Sequence, residues 1–367
     1  MDRRQRLDSL TALRFFLALG VFLFHYRWIE AHRFPAGESA LINVLNQGHF
    51  GVSGFFLLSG FILAWNYHGD GAPVDRAAFW WHRVARIYPV YLAGLALLFV
   101  AALAGVPGLY DVRAGSGALG DLLLNLVMVQ AWHEPAAMSW NGVNWTLSVE
   151  AFFYLLFPVL IGAMGRLGPA GLVAVVAGAA ALGAGLDLLH RYAPFSPPGD
   201  RLFALSHVFP PARLAEFVAG IAGCLLVLRW RPAVDAVVWR RAALIVGAAI
   251  VAVLTLRVYG TTGQRVLLLP FLALIVALAI ADRAGARTHP VPVRLGEWSF
   301  ALYIVHQPVL HALAPITAAL PSAVALPLAL AVSLGVSALV YHGIEVPARR
   351  RLLALRQRQP RPVRARP

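Results

Sequence analysis

Two ionisable side chains bracket the first apolar stretch of the chain: Arg14 and His25 in RFFLALGVFLFH. An α-helix turns about 1,100° in eleven residues and rises about 16 Å, so the two share one stripe of a helix. An imidazole can take the proton of an attacking hydroxyl near neutral pH, and a guanidinium can hold a phosphate. Similar groups recur in apolar company. Glu150 opens a span in NWTLSVEAFFYLLFP, where a carboxylate needs a partner. Counted from the start of that span it falls at roughly the depth of His25. A histidine–carboxylate pair at one depth suits a general base and the group that orients it. Arg83 and Arg86, in WWHRVARIYPVYL, face one way at i and i+3 and make a clamp for phosphate. His49, Ser53 and Ser59 in GHFGVSGFFLLSGFILAW, with Tyr88, Trp145 and His306, are candidates to line a polar cavity.

Each of these has a plainer role open to it. Arg14 fits a snorkelling anchor, and His25 an interfacial histidine beside Tyr26 and Trp28. Arg83 and Arg86 fit the basic flank of a span, and His306 fits helix packing. The glycines around Ser53 and Ser59 suit close helix contact. Arg213 and Glu216 in RLAEFVAG, and Glu345 in IEVPARRRL beside the following arginines, read as structural ion pairs. HExxH, CxxC, Walker and GxSxG patterns are missing from the sequence, and Cys224 is its one cysteine. Neither a metal site nor an internal disulfide is expected.

The elements that must position these groups are membrane spans. Of 367 residues, 59% are hydrophobic and 13% charged, and the mean hydropathy is +0.69. Soluble domains carry about 25% charged residues, so the composition indicates an all-α polytopic bundle. Ten stretches are long enough: about 10–28, 49–66, 86–105, 145–164, 168–189, 213–229, 241–258, 265–281, 298–318 and 322–342. The piece Gly120–Ala131 is too short to cross and reads as buried or re-entrant. All 31 basic residues are arginine, and a cytoplasmic N-terminus gathers about 22 of them on one side. Both termini are therefore expected in the cytoplasm. The net charge of +14 is then a topology signal and a contact for anionic lipid in the bilayer, and nucleic acid is not an expected partner. The first span reads as uncleaved, since Arg14 interrupts the core a signal peptide would need. Residues 1–352 read as one membrane domain and 353–367 as a disordered, basic, cytoplasmic tail. On residues alone, a transporter or flippase competes with an enzyme, although the paired broken helices typical of inverted repeats are not apparent.

The stretches LDSLTALRFFLALGVFLFH, FGVSGFFLLSGFIL, RVARIYPVYL, NWTLSVEAFFYLLFP, RLAEFVAG, SFALYIVHQPV and EVPARR stand in this order over about residues 7–352. Together they resemble the integral-membrane acyltransferase family 3, whose bacterial members O-acylate sugars. The resemblance implies a multi-pass protein of the bacterial cytoplasmic membrane. It implies acyl-CoA, by default acetyl-CoA, as co-substrate, with no permanently bound cofactor. A carbohydrate or lipid-linked sugar would be the acceptor. The family's arginine–histidine motif falls on Arg14 and His25, its donor-associated RxxR motif on Arg83 and Arg86, and its fourth-span glutamate on Glu150. The resemblance thus implies His25 and Glu150 as catalytic, and Arg14, Arg83 and Arg86 as donor-binding. Ser53 departs from the pattern, because many relatives have an acid there. Many relatives also carry an extracytoplasmic domain, so this chain is expected to act alone or with a separate partner.

Overall fold

The computed structural model describes residues 5–34, 40–68, 74–103, 118–192, 206–230, 235–256 and 264–357. Its helices are α1 (Asp8–Ile29), α2 (Ala40–Asn46), α3 (Gly51–Tyr67), α4 (Arg76–Leu103), α5 (Ala118–Leu126), α6 (Trp145–Met164) and α7 (Pro169–Tyr192). They continue with α8 (Leu214–Trp230), α9 (Ala236–Leu256), α10 (Leu268–Arg283), α11 (Pro290–Ala318), α12 (Ser322–Val340) and α13 (Val346–Gln357). Among the described residues there is no strand, and ten segments are long and apolar enough to cross a membrane. The all-α, ten-span reading holds. Helix ends differ where a helix runs on past its apolar stretch. α4 begins at Arg76 rather than 86, because Phe79 and Ala85 stay buried on its inner face while Arg76 and Trp80 face outward. The last span passes through a π-helical turn, Tyr341–Glu345, into α13. α13 crosses the domain boundary read at 352 and ends at Gln357, tied back by Trp81 Nε1 donating to the Leu352 carbonyl at 2.9 Å. The rest of the expected tail, 358–367, lies outside the described residues.

Two helix pairs set the frame. α3 and α8 touch backbone to backbone. A Cβ at Gly60 would overlap the Phe217 carbonyl, and one at Gly220 would overlap the Leu57 carbonyl. Only glycine permits this approach. α1 and α11 lie side by side along their length. Arg6 meets Glu297 at 2.6 Å at one end. At the other, buried Glu30 accepts from Thr317 Oγ1 and from Arg33 Nε at 2.7 Å, and Arg33 also donates to the Thr317 and Leu320 carbonyls. Those carbonyls lie at and just past the end of α11, where the regular helical donors run out. α7, α9 and α12 keep mostly exposed apolar surfaces, as lipid-facing helices do.

The segment between α4 and α6 dips into the bundle. Tyr88 Oη donates to the Leu126 carbonyl at 2.5 Å and Tyr91 Oη to the Asn125 carbonyl at 2.7 Å. Tyr88 lies about 18 Å along α4 from Arg76, well inside the span. α5 and the irregular stretch after it are therefore re-entrant, with Leu119, Leu123 and Val127 exposed on the outside. Irregular backbone at membrane depth must be satisfied by protein. Here Gln130 Nε2 donates to the Asn144 carbonyl at 2.9 Å, and Asn141 Nδ2 donates to the Ile304 carbonyl at 2.9 Å. Pro308 makes the second bond possible. It lacks the N–H that would bond its i−4 carbonyl, which is that of Ile304. Pro158 frees the Tyr154 carbonyl in the same way, and Trp80 Nε1 donates to it at 3.0 Å.

Candidate active site

A cavity of about 230 Å³ opens between α1, α3, α4, α6, α11 and α13. Its polar wall carries Arg14, Arg83, Arg86, Arg349, Glu150 and Tyr154. Arg83 lies over the rings of Phe79, Tyr67 and Tyr154, with its carbon 5.7–5.9 Å from their centroids. Its buried Nε has no hydrogen-bond partner among the described residues. Arg86 reaches Glu345 Oε1 at 4.0 Å, a contact set by the π-helical turn that carries Glu345. Glu150 accepts from Tyr154 Oη at 2.9 Å and lies within electrostatic reach of Arg14, Arg86 and Arg83. Four guanidiniums thus face two carboxylates. The unbalanced positive charge, in low-dielectric surroundings, calls for an anionic ligand.

Deeper in, the cavity becomes apolar, with Val52, Phe55, Phe56 and Phe300 on its wall. It ends at Thr146 and Tyr303, whose hydroxyls are 3.0 Å apart. Tyr303 sits one helical turn before His306, with ring centroids 5.9 Å apart. His306 Nε2 lies 3.1 Å from His25 Nδ1.

Several expected residues meet here and others do not. Arg14, Arg83, Arg86, Glu150 and Ser59 all line the cavity. His25 and His306 form a pair just beyond its apolar end. His49, Ser53, Tyr88 and Trp145, read as candidate lining, do not line it. His49 Nδ1 bonds the Asn46 carbonyl at 3.1 Å, and its ring stacks on Phe50. Ser53 is buried between Arg213 Nη2 at 2.9 Å and Glu216 Oε1 at 3.0 Å. Arg213 and Glu216 form the expected ion pair at 2.8 Å, wholly buried. Tyr88 holds the re-entrant segment, and Trp145 lies under Arg213 at 5.8 Å. Glu345 pairs with Arg86 across the cavity.

The expected His25–Glu150 pair is not formed. His25 turns to His306, and Glu150 faces the arginines. The reason lies in the re-entrant segment. Depth counted from Trp145 assumes that α6 starts at the membrane surface, but Asn141 bonds the Ile304 carbonyl of α11 and Gln130 bonds the Asn144 carbonyl, so that start lies at the level of Ile304. Glu150 then lies about 7–8 Å further along, beside Arg14. The sequence reading missed Arg349, Tyr154, Tyr303 and Thr146. Helical spacing carried a signal for two of them: Tyr154 is four residues after Glu150, and Tyr303 three before His306. Among the described residues no group of three or more His, Cys, Asp or Glu is placed to hold a metal.

A family model described as "Acyltransferase domain" matches residues 7–342. The chain is 35% identical over 325 residues to "Acyltransferase MdmB" of Streptomyces mycarofaciens, covering 82% of this chain and 78% of that protein. It is 27% identical over 332 residues to "Nodulation protein 10" of Rhizobium leguminosarum bv. viciae, covering 84% of each. No solved structure matches the chain. The ten apolar spans, the ordered motifs from Arg14 to Glu345 and the match across nearly the whole length lead to one conclusion: the chain belongs to the integral-membrane acyltransferase family 3 and is a multi-pass membrane acyltransferase.

Proposed function

We propose that the protein transfers an acyl group, by default acetyl, from cytosolic acyl-CoA to a hydroxyl of a cell-envelope sugar or similar acceptor, within the bacterial cytoplasmic membrane. The observation that carries this reading is the arginine-walled cavity, whose apolar end stops at Tyr303, one helical turn from His306, which in turn meets His25 on the leading helix. Arg83, Arg86 and Arg349 hold the phosphates of the donor at the end of the bundle where both described termini lie. Arg14 extends the positive wall inward, and Glu150 and Glu345 keep the guanidiniums spaced and partly balanced. The acyl-pantetheine arm follows the apolar part. Arg14 and His25 are about 16 Å apart along α1, a span an extended pantetheine can bridge. Rotation of Tyr303 away from Thr146 joins the cavity to His25.

His25 acts as general base. As the acceptor oxygen attacks the thioester carbonyl, its proton passes to the His25 ring. The C–S bond breaks, the thiolate leaves with the electron pair, and the imidazolium returns the proton to it. Ester and free CoA result, with no net change at the protein. The test is His25→Ala in purified protein. Transfer of label from acetyl-CoA should be lost while acetyl-CoA binding persists. Transfer by His25→Ala at the wild-type rate would remove the assignment.

A further inference from the structure

The two histidines beyond the cavity are linked in a way that fixes where their protons sit. His306 Nδ1 lies 3.1 Å from the Leu302 carbonyl, and His25 Nδ1 lies 2.9 Å from the Val21 carbonyl. Each carbonyl is the i−4 acceptor on its own helix and can only accept. Both Nδ1 atoms must therefore carry a proton. A neutral His306 protonated at Nδ1 has a bare lone pair at Nε2. That atom faces His25 Nδ1 at 3.1 Å, so His25 Nδ1–H is shared between Val21 and His306. The remaining nitrogen, His25 Nε2, is then the one with an open lone pair. It makes no hydrogen bond to any described residue. His25 is only half-buried as a residue.

We infer that His306 is the positioning residue of the acyl transfer: as an Nδ1-protonated neutral imidazole it holds His25 with Nε2 unprotonated and aimed at the acceptor. This rests on the reading of His25 as base and replaces the carboxylate expected in that role. When Nε2 takes the acceptor's proton, the charge spreads to Nδ1–H, where the His306 lone pair and the Val21 carbonyl both receive it. Its own place is secured. Asn141 bonds the carbonyl of Ile304, two residues earlier, and Phe22 packs at 6.5 Å between ring centroids. His306 is buried, so no water takes over its acceptor role at low cost.

Three substitutions separate positioning from packing. His306→Ala removes the acceptor and should lower kcat about 10–100-fold, the loss of one hydrogen bond to a charged group, with KM for acetyl-CoA unchanged. Glutamine can present its side-chain oxygen near the position of Nε2, so His306→Gln should recover most of kcat. Asparagine reaches only the position of Nδ1, so His306→Asn should not. The assay follows radiolabel from acetyl-CoA into membranes of producing cells, which contain the natural acceptor. A second readout needs no turnover: nitrogen NMR of histidine-labelled protein should find His306 protonated at Nδ1 and bare at Nε2. Equal kcat for the Asn and Gln variants, wild-type kcat for His306→Ala, or a proton on His306 Nε2 would overturn the inference while leaving His25 as base. Turnover by His25→Ala would instead remove the reading beneath it, and the inference with it.

Discussion

Removing Glu216 should destabilise the protein more than almost any other single change to it. Arg213 and Glu216 are both 0% exposed and 2.8 Å apart, with Ser53 Oγ bonded to each. Arg213 also lies over Phe56 at 5.2 Å, wedged against the wall of the cavity. In Glu216→Ala the guanidinium keeps Ser53 and its ring contacts but loses the carboxylate 2.8 Å away, at a depth where Arg213 is wholly buried. Breaking a buried pair on one side costs about 3–5 kcal/mol. That is a third or more of the 5–15 kcal/mol that typically separates folded from unfolded chains. The apparent Tm in detergent, followed by thermal shift, should fall on the order of 10 °C. The companion Arg213→Met/Glu216→Leu should recover most of the loss, because the desolvation cost of both charges disappears together. Neither variant touches the arginines of the cavity, so protein that remains folded should bind acetyl-CoA normally. Wild-type Tm for Glu216→Ala, or a double variant no better than the single one, would refute the reasoning.

Three further outcomes follow from named contacts. Gly220→Ala drives a Cβ into the Leu57 carbonyl and should cost about 1–3 kcal/mol, read as a lowered Tm. Asn141→Ala leaves the Ile304 carbonyl without the partner that Pro308 obliges it to find, a loss of about 1–3 kcal/mol, and should also lower kcat by loosening the turn that carries His306. Glu150→Gln takes one negative charge from a cavity with four arginines, so acetyl-CoA should bind severalfold tighter at low salt, and the gain should shrink as salt rises. Calorimetry at two ionic strengths checks this, and weaker binding at low salt would contradict it.

The spans were legible because apolar length is a property of composition, and a bilayer imposes one length on all of them. The ionic pair Arg213–Glu216 was legible because it sits at i and i+3 on one helix. The convergence of Arg14, Arg83, Arg86 and Glu150 on one cavity followed less directly, since it depends on which helices are neighbours. The partner of His25 was beyond reach for a specific reason. Its assignment required the depth of Glu150, and that depth is set by the side-chain amides of Gln130 and Asn141, bonded to the carbonyls of Asn144 and Ile304, holding a polar loop in the bundle. Hydropathy registers such a loop only as an interruption. Arg349 was hidden by the opposite error: as one of a run of arginines after Glu345 it looked like a basic flank, until the π-helical turn brought α13 to the mouth of the cavity.

The most direct test of the account is a structure of the protein with a non-hydrolysable acetyl-CoA analogue. The phosphates should rest against Arg83, Arg86 and Arg349, Tyr303 should be parted from Thr146, and the acyl carbon should lie beside His25 Nε2. A donor held at the opposite end of the bundle, or an acyl group that ends away from His25, would contradict it.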